Sequence, residues 1–348
     1  MDTRLTAEQV ALRETAAAVI GRFGAKAVRE LDDLERAAKL EKAVTESGWL
    51  ELRTPTDAGA PWASAVEAAI VAEELASGVA DVAFLGPTLA AELRRLAGAP
   101  ASARPETVAL AADLSTLACA DGPAPPEGTV AIDSSGSVSV LLTAPVSGGY
   151  RLVCASPGEV SDHGVDLTRP ALSLATDETL IAVPDQSRVL SGGDVVRWTA
   201  RGLALSCADL VGVMRGAVRL ACDYAKARRQ YGAAIGSFQA VQHLLADAYV
   251  SMEGSRSLAL HAAWSVDALG PDEALTAAAV AKAYCARSAR TVCETAIQVH
   301  GGIGNTWDCM AHIYLRRALH SSDILGGIGA CLARVRERHG IGEANGLR

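Results

Sequence analysis

Two short stretches of this 348-residue chain bring together residue types that could do chemistry. The first is Ala227-Arg228-Arg229-Gln230-Tyr231-Gly232-Ala233-Ala234-Ile235-Gly236-Ser237-Phe238-Gln239. It places guanidiniums, amides, aromatic rings and flexible glycines in one turn between two helical segments. Arginine forks suit phosphate oxygens, and a phenol ring can pack on a flat ligand. Taken alone, the stretch reads more readily as an ordinary helix–turn–helix with a solvated arginine pair. The second is Ala296-Ile297-Gln298-Val299-His300-Gly301-Gly302-Ile303-Gly304. Its glycines let backbone N–H groups approach a ligand closely, and Gln298 offers both a donor and an acceptor. A lone glycine pair says little; the two stretches in this order say much more.

The elements that must position these residues fall into three textures. Up to about Gly98 the apolar residues recur three and four apart, as helices require. Thr6-x-x-Gln9 reads as a capping box opening the first helix. Pro55, Gly59 and Pro61 break the pattern before a second long helix over residues 63–76, and residues 88–96 form another. Between residues 101 and 196 short β-rich runs appear at 108–110, 138–142, 150–153 and 180–183, separated by turn residues. From Thr199 the helical period returns in long segments. Phe238, Val241, Leu245, Ala248 and Met252 share one helix face, and Gly270-Pro271 divides that helix from one running to Gly301-Gly302. The expected organisation is mainly α with a small β domain: a helical domain over 1–103, a β domain over 104–198 and a helical bundle over 199–348.

Composition excludes several classes. Half the residues are apolar, yet no long uncharged run could span a bilayer. The opening residues lack the pattern of a signal peptide, which gives an expectation of the cytoplasm. A formal net charge of −8 without a basic stripe argues against a nucleic-acid partner. Cysteines 119, 154, 207, 222, 285, 293, 309 and 331 contain no C-x-x-C pair. They are expected to be reduced, buried small hydrophobes, with no metal site.

Together, Arg228-x-x-Tyr231-Gly232 with Gln239 on the following helix, and Gln298 to Gly302 at the end of a later one, resemble the signature of the acyl-CoA dehydrogenase family. Leu5-Thr6-Ala7-Glu8-Gln9, Glu46-Ser47-Gly48-Trp49-Leu50, Val71-Ala72-Glu73-Glu74-Leu75-Ala76 and Asp166-Leu167-Thr168-Arg169 look like its further landmarks, over roughly residues 5 to 339. The resemblance implies an N-terminal helical domain, a middle β-barrel-like domain and a C-terminal bundle. It also implies FAD, shared across a subunit boundary. By position, Arg228 is implied at the pyrophosphate, and Tyr231 near the flavin end. Phe238 and Gln239 are implied along the ADP portion, Gln230 as a further cofactor-binding residue, and Gln298, Val299, His300, Gly301 and Gly302 at the adenosine and pyrophosphate.

The chain departs from that pattern in two places. The family's base is usually a Glu some 23 residues after the second glycine of the pair, a count that lands on Leu325. Some members place it on the first C-terminal helix, 26 residues ahead of the motif arginine, and that count lands on Gly202. Neither is an acid. Asp323 and Asp209 lie nearby, each read as a surface or capping aspartate rather than a base. Residues 106–160 also lack the Thr-Glu-Pro, Gly-Ser-Asp and Trp-Ile-Thr-Asn runs that seat the flavin. No catalytic residue is therefore assigned to this chain.

The pattern resembles the short, base-less subunit of heterotetrameric (α2β2) acyl-CoA dehydrogenases of bacterial steroid side-chain degradation, an idea to which Gly304-Asn305-Thr306-Trp307-Asp308 and residues 312–317 add. That implies a longer partner carrying the base, an acyl-CoA substrate, possibly steroid-derived, and an electron-transfer flavoprotein or similar acceptor. The rivals are a homomeric enzyme using Asp323 or Asp209, and a non-enzymatic helical scaffold descended from the family.

Overall fold

The computed structural model describes residues 4–56, 60–134, 139–157 and 164–341. Gly59 and Val138, named above, lie outside the described residues.

Four helices open the chain: α1 (Ala7–Phe23), α2 (Leu34–Glu46), α3 (Ala65–Ser77) and α4 (Leu85–Ala97). The expected cap of α1 is present, with Thr6 Oγ1 accepting from Gln9 N at 3.2 Å and Gln9 Oε1 from Thr6 N at 3.0 Å. Gln9 also donates to Glu67 Oε1 at 2.7 Å, and Glu67 completes the capping box of α3. Two helix starts are thus tied by one amide. α3 is buried on almost every face, and its acids Glu73 and Glu74 each accept from Arg215 at 2.8 Å.

The middle of the chain forms a six-stranded mixed sheet in the order β5-β2-β1-β3-β4-β6. These are β1 (Glu106–Leu110), β2 (Val130–Ala131), β3 (Ser139–Val146), β4 (Gly149–Ala155), β5 (Leu172–Ser173) and β6 (Ile181–Ala182). β1 runs parallel to β3, in the register Thr107 to Val140, and the other pairings are antiparallel. Side chains alternate as a pleat demands. Val108, Leu110, Leu141 and Leu152 join the main helical core, while Ala109, Val140, Leu142 and Ala155 form a small second core on the other face.

The helical bundle comprises α5 (Gly192–Ala227), α6 (Gln239–Ala268), α7 (Pro271–His300), α8 (Ala311–Asp323) and α9 (Ile328–Arg338). A two-stranded hairpin, β7 (Arg229–Gln230) and β8 (Ala233–Ala234), lies between α5 and α6. α5 begins earlier than Thr199 because Ser191 and Asp194 form a reciprocal cap, with Gly192 and Gly193 as its first residues. Its buried Trp198 donates Nε1–H to Leu89 O at 3.0 Å, locking α5 onto α4. No helix among the described residues is long and apolar enough to cross a membrane.

Candidate cofactor half-site and the vacant base position

The arginine motif caps the far end of α5. Arg228 ends the helix, with its N–H on Tyr224 O at 2.8 Å and its C=O accepting from Ile235 N at 2.8 Å, which closes the hairpin. Tyr231 and Gly232 sit at the tip with φ of 50° and 80°. Left-handed backbone at both central residues is the turn that matches strand twist, and glycine supplies it freely where tyrosine does not. The Tyr231 ring is 96% exposed and meets Phe238 edge-on at 6.4 Å. Arg228, Arg229, Gln230 and Gln239 are exposed, and neither guanidinium has a hydrogen-bond or ion-pair partner among the described residues.

The second motif comes to the same end of the bundle. Tyr224, one turn before Arg228, stacks on His300 with centroids 4.4 Å apart. His300 is buried, and its Nδ1 lies 2.7 Å from Ala296 O, so its ring acts as a brace between α5 and α7. Val299 is buried as well, which leaves Gln298, Gly301 and Gly302 facing outward. Gly301 has φ of 66°, and a Cβ placed on Gly301 or Gly302 would meet nothing within 4 Å. The segment offers open backbone beside unpaired cations.

The opposite end of α5 is dense hydrocarbon. Leu325 is fully buried, with φ of 61°. A Cβ added to Gly202 would lie 2.1 Å from Leu325 Cδ1 and 3.5 Å from Leu89 Cδ1. The two positions singled out for a base therefore touch each other, and neither carries an acid. Lys282, fully buried on α7, fixes the Leu325 segment by donating to Ser321 O at 2.6 Å and Ile324 O at 2.9 Å.

Asp323 is exposed at the last position of α8, as expected. Asp209 is neither a surface nor a capping residue, which corrects the sequence expectation. It is buried and accepts from Arg317 Nη2 at 2.6 Å and Arg169 Nη1 at 3.4 Å, and from the Ser321 hydroxyl at 2.6 Å. Burial pushes its carboxyl up, but the Arg169 and Arg317 charges outweigh that and hold it at about 2. Such an acid is a poor proton acceptor. The partners of Asp209 lie 40, 108 and 112 residues away, beyond any local spacing.

A second buried network escaped the sequence. Glu92 on α4 pairs with Arg53 at 3.3 Å, Arg95 at 2.8 Å and Arg201 at 3.4 Å, and Asp267 reaches Arg201 at 3.1 Å. Burial opposes ionisation of Glu92, yet the Arg201 charge and the Arg95 hydrogen bond hold it at about 2. Burial lowers Arg201 to about 10, against the pull of Glu92. Neither group is available as a base.

The chain matches the acyl-CoA dehydrogenase C-terminal domain over residues 193–338 and the N-terminal domain over residues 6–97. It is 30% identical to the acyl-CoA dehydrogenase IpdE2 of Mycobacterium tuberculosis over 94% of this chain and 96% of that protein. The chain belongs to the acyl-CoA dehydrogenase family. Its fold is similar to that of a variant of the Tcur3481–Tcur3483 steroid acyl-CoA dehydrogenase, with a TM-score of 0.77 and 24% identity over 96% of this chain and 98% of that one. The ChsE4–ChsE5 complex of Mycobacterium tuberculosis gives 0.76 and 23%, over 98% and 99%. Acyl-CoA dehydrogenases use FAD. The end of α5 fits the ADP portion of that cofactor: unpaired arginines suit a diphosphate, and the open glycine backbone permits close approach. The Gly202–Leu325 contact offers no acid for the family's proton abstraction.

Proposed function

We propose that this chain is the base-less subunit of a heteromeric, FAD-dependent acyl-CoA dehydrogenase. It holds the ADP portion of FAD at Arg228, Gln239 and residues 298–302, while a longer partner supplies the carboxylate base and seats the flavin. The substrate is an acyl-CoA thioester, with a steroid-derived acyl group favoured by the heteromeric and steroid descriptions of its structural neighbours. The product is the trans-2-enoyl thioester, with an electron-transfer flavoprotein or similar acceptor downstream. FAD, when bound, accepts the hydride from the β-carbon. The chain's own part is to bind and orient: Arg228 neutralises phosphate charge, Gln298 offers an amide, and the His300–Tyr224 stack fixes the two segments relative to each other.

The observation that carries this reading is the contact of Gly202 with Leu325, where hydrocarbon occupies both positions at which the family keeps its base. A general base must come within hydrogen-bond reach of the proton it removes. The buried acids Asp209 and Glu92 are held ionised by arginines. The test is cofactor stoichiometry in the co-expressed complex, read from flavin absorbance against protein mass. Two FAD per four chains supports the reading. Four FAD per tetramer, or a yellow, acyl-CoA-reducible protein when this chain is expressed alone, overturns it.

A further inference from the structure

A cavity of about 570 Å³ opens on the face of α4 that points away from Gly202. Leu89 meets the Gly202–Leu325 contact, whereas Pro87, Ala90, Ala91 and Arg94, on the other side of the same helix, line the cavity. The facing wall comes from α2 and the turn that follows it, including Thr45 and Leu50. Its charged groups differ by depth. Inside, Arg94 donates to both oxygens of Glu106 and, at 2.8 Å, to Pro100 O. The Asp133 carboxylate accepts from Phe84 N and Gly86 N, at 3.3 and 3.0 Å, at the start of α4. Arg104, also on the lining, is exposed and its guanidinium has no partner among the described residues. At the mouth, the exposed carboxylates of Glu41 and Glu51 have no partner among the described residues.

We propose that this cavity binds a neutral, ring-bearing hydrocarbon compound whose hydrogen-bond-donating group points at Glu41 and Glu51. The volume lies in the range of small-molecule sites, roughly 300–1,000 Å³. Walls of alanine and proline are smooth and already rigid, so a broad, stiff body fits without ordering long side chains. An anionic ligand would set its charge against those two carboxylates, with the single exposed guanidinium of Arg104 to offset them. The site is separate from the cofactor half-site and stands whether or not the partner-subunit reading holds.

The experiment titrates the purified full-length chain with N-phenyl-1-naphthylamine, a neutral aromatic amine whose emission rises in apolar surroundings. Saturable binding at one probe per chain is expected. Ala91→Trp and Thr45→Trp fill the cavity from opposite walls, and each should weaken binding at least tenfold while circular dichroism and Tm stay near wild type. Thr45 is exposed, so that variant keeps the test available if Ala91→Trp fails to fold. Trp307→Ala removes an exposed ring elsewhere and should change nothing. Absence of saturable binding, wild-type affinity in either folded cavity variant, or loss in Trp307→Ala would overturn the proposal.

Discussion

Asp209→Asn separates the partner-subunit reading from its nearest rival, and the structure sets its size. The substitution keeps the shape and removes a charge that faces two buried guanidiniums, at 2.6 Å from Arg317 and 3.4 Å from Arg169. One carboxylate oxygen also becomes an amide donor aimed at other donors. Breaking a buried pair from one side costs about 3–5 kcal/mol, against a total stability of roughly 5–15 kcal/mol for a typical domain. The variant should therefore fold at low temperature with a clearly lower urea midpoint at pH 7. The pH dependence follows from a carboxyl lowered from 3.8 to about 2. That contribution is present above the unfolded value and is lost as pH falls through the folded one. The shift corresponds to roughly 2–3 kcal/mol, so wild type should lose this stability between about pH 4 and pH 2 and the variant should not. Turnover per folded, flavin-loaded complex should stay within a few fold of wild type, and Asp323→Asn, at an exposed position, should be near neutral in both respects. Removing a general base commonly costs about 10²–10⁴ in rate. A drop of several hundredfold in either variant, with FAD and assembly intact, would make this chain the catalytic one.

Two further substitutions address the cofactor end. Arg228→Ala removes a charge-assisted phosphate contact and should weaken FAD retention by about 1.5–3 kcal/mol, roughly ten- to a hundredfold; undiminished flavin content at limiting FAD would remove Arg228 from the site. Tyr231→Asn suits the left-handed turn better and should hold or raise Tm slightly, by up to about 1 kcal/mol of stability. If the ring contacts cofactor, the same variant loses FAD affinity; unchanged affinity would reduce Tyr231 to a turn residue.

The fold was legible wherever local chemistry sets local structure. Thr6 with Gln9 and Gly270 with Pro271 mark helix ends through their own side chains and backbone, and both are where the sequence puts them. The start of α5 was set too late, at Thr199, because the reciprocal Ser191–Asp194 cap that opens the helix was not read from the sequence. Arg228, Tyr231 and Gln298 could be named because a motif holds them together along the chain. Asp209 and Glu92 could not, since their meaning lies in arginines far away in sequence. The meeting of Gly202 with Leu325 was also invisible, although counting along the family pattern had marked each position separately.

The two ends of α5 explain why this arrangement is hard to undo. From Gly202 to Arg228 is about 39 Å of helix at 1.5 Å per residue. At the outer end, Tyr231 adopts a left-handed conformation that costs of order 1–3 kcal/mol, with an almost fully exposed ring that recovers little by packing. Among the described residues the edge-on contact with Phe238 is the one ring contact that offsets this cost. At the inner end the situation is reversed. Restoring an acid at Gly202 would drive its Cβ into Leu325, and the new carboxylate would sit among Leu325 and Leu89. An acid at 325 would need a left-handed, fully buried backbone position to accept a charge beside Gly202. Either change takes a carboxylate out of water, a desolvation cost of several kcal/mol. A base is therefore not one substitution away, because Gly202 packs against Leu325 and Leu89 with no room for a side chain.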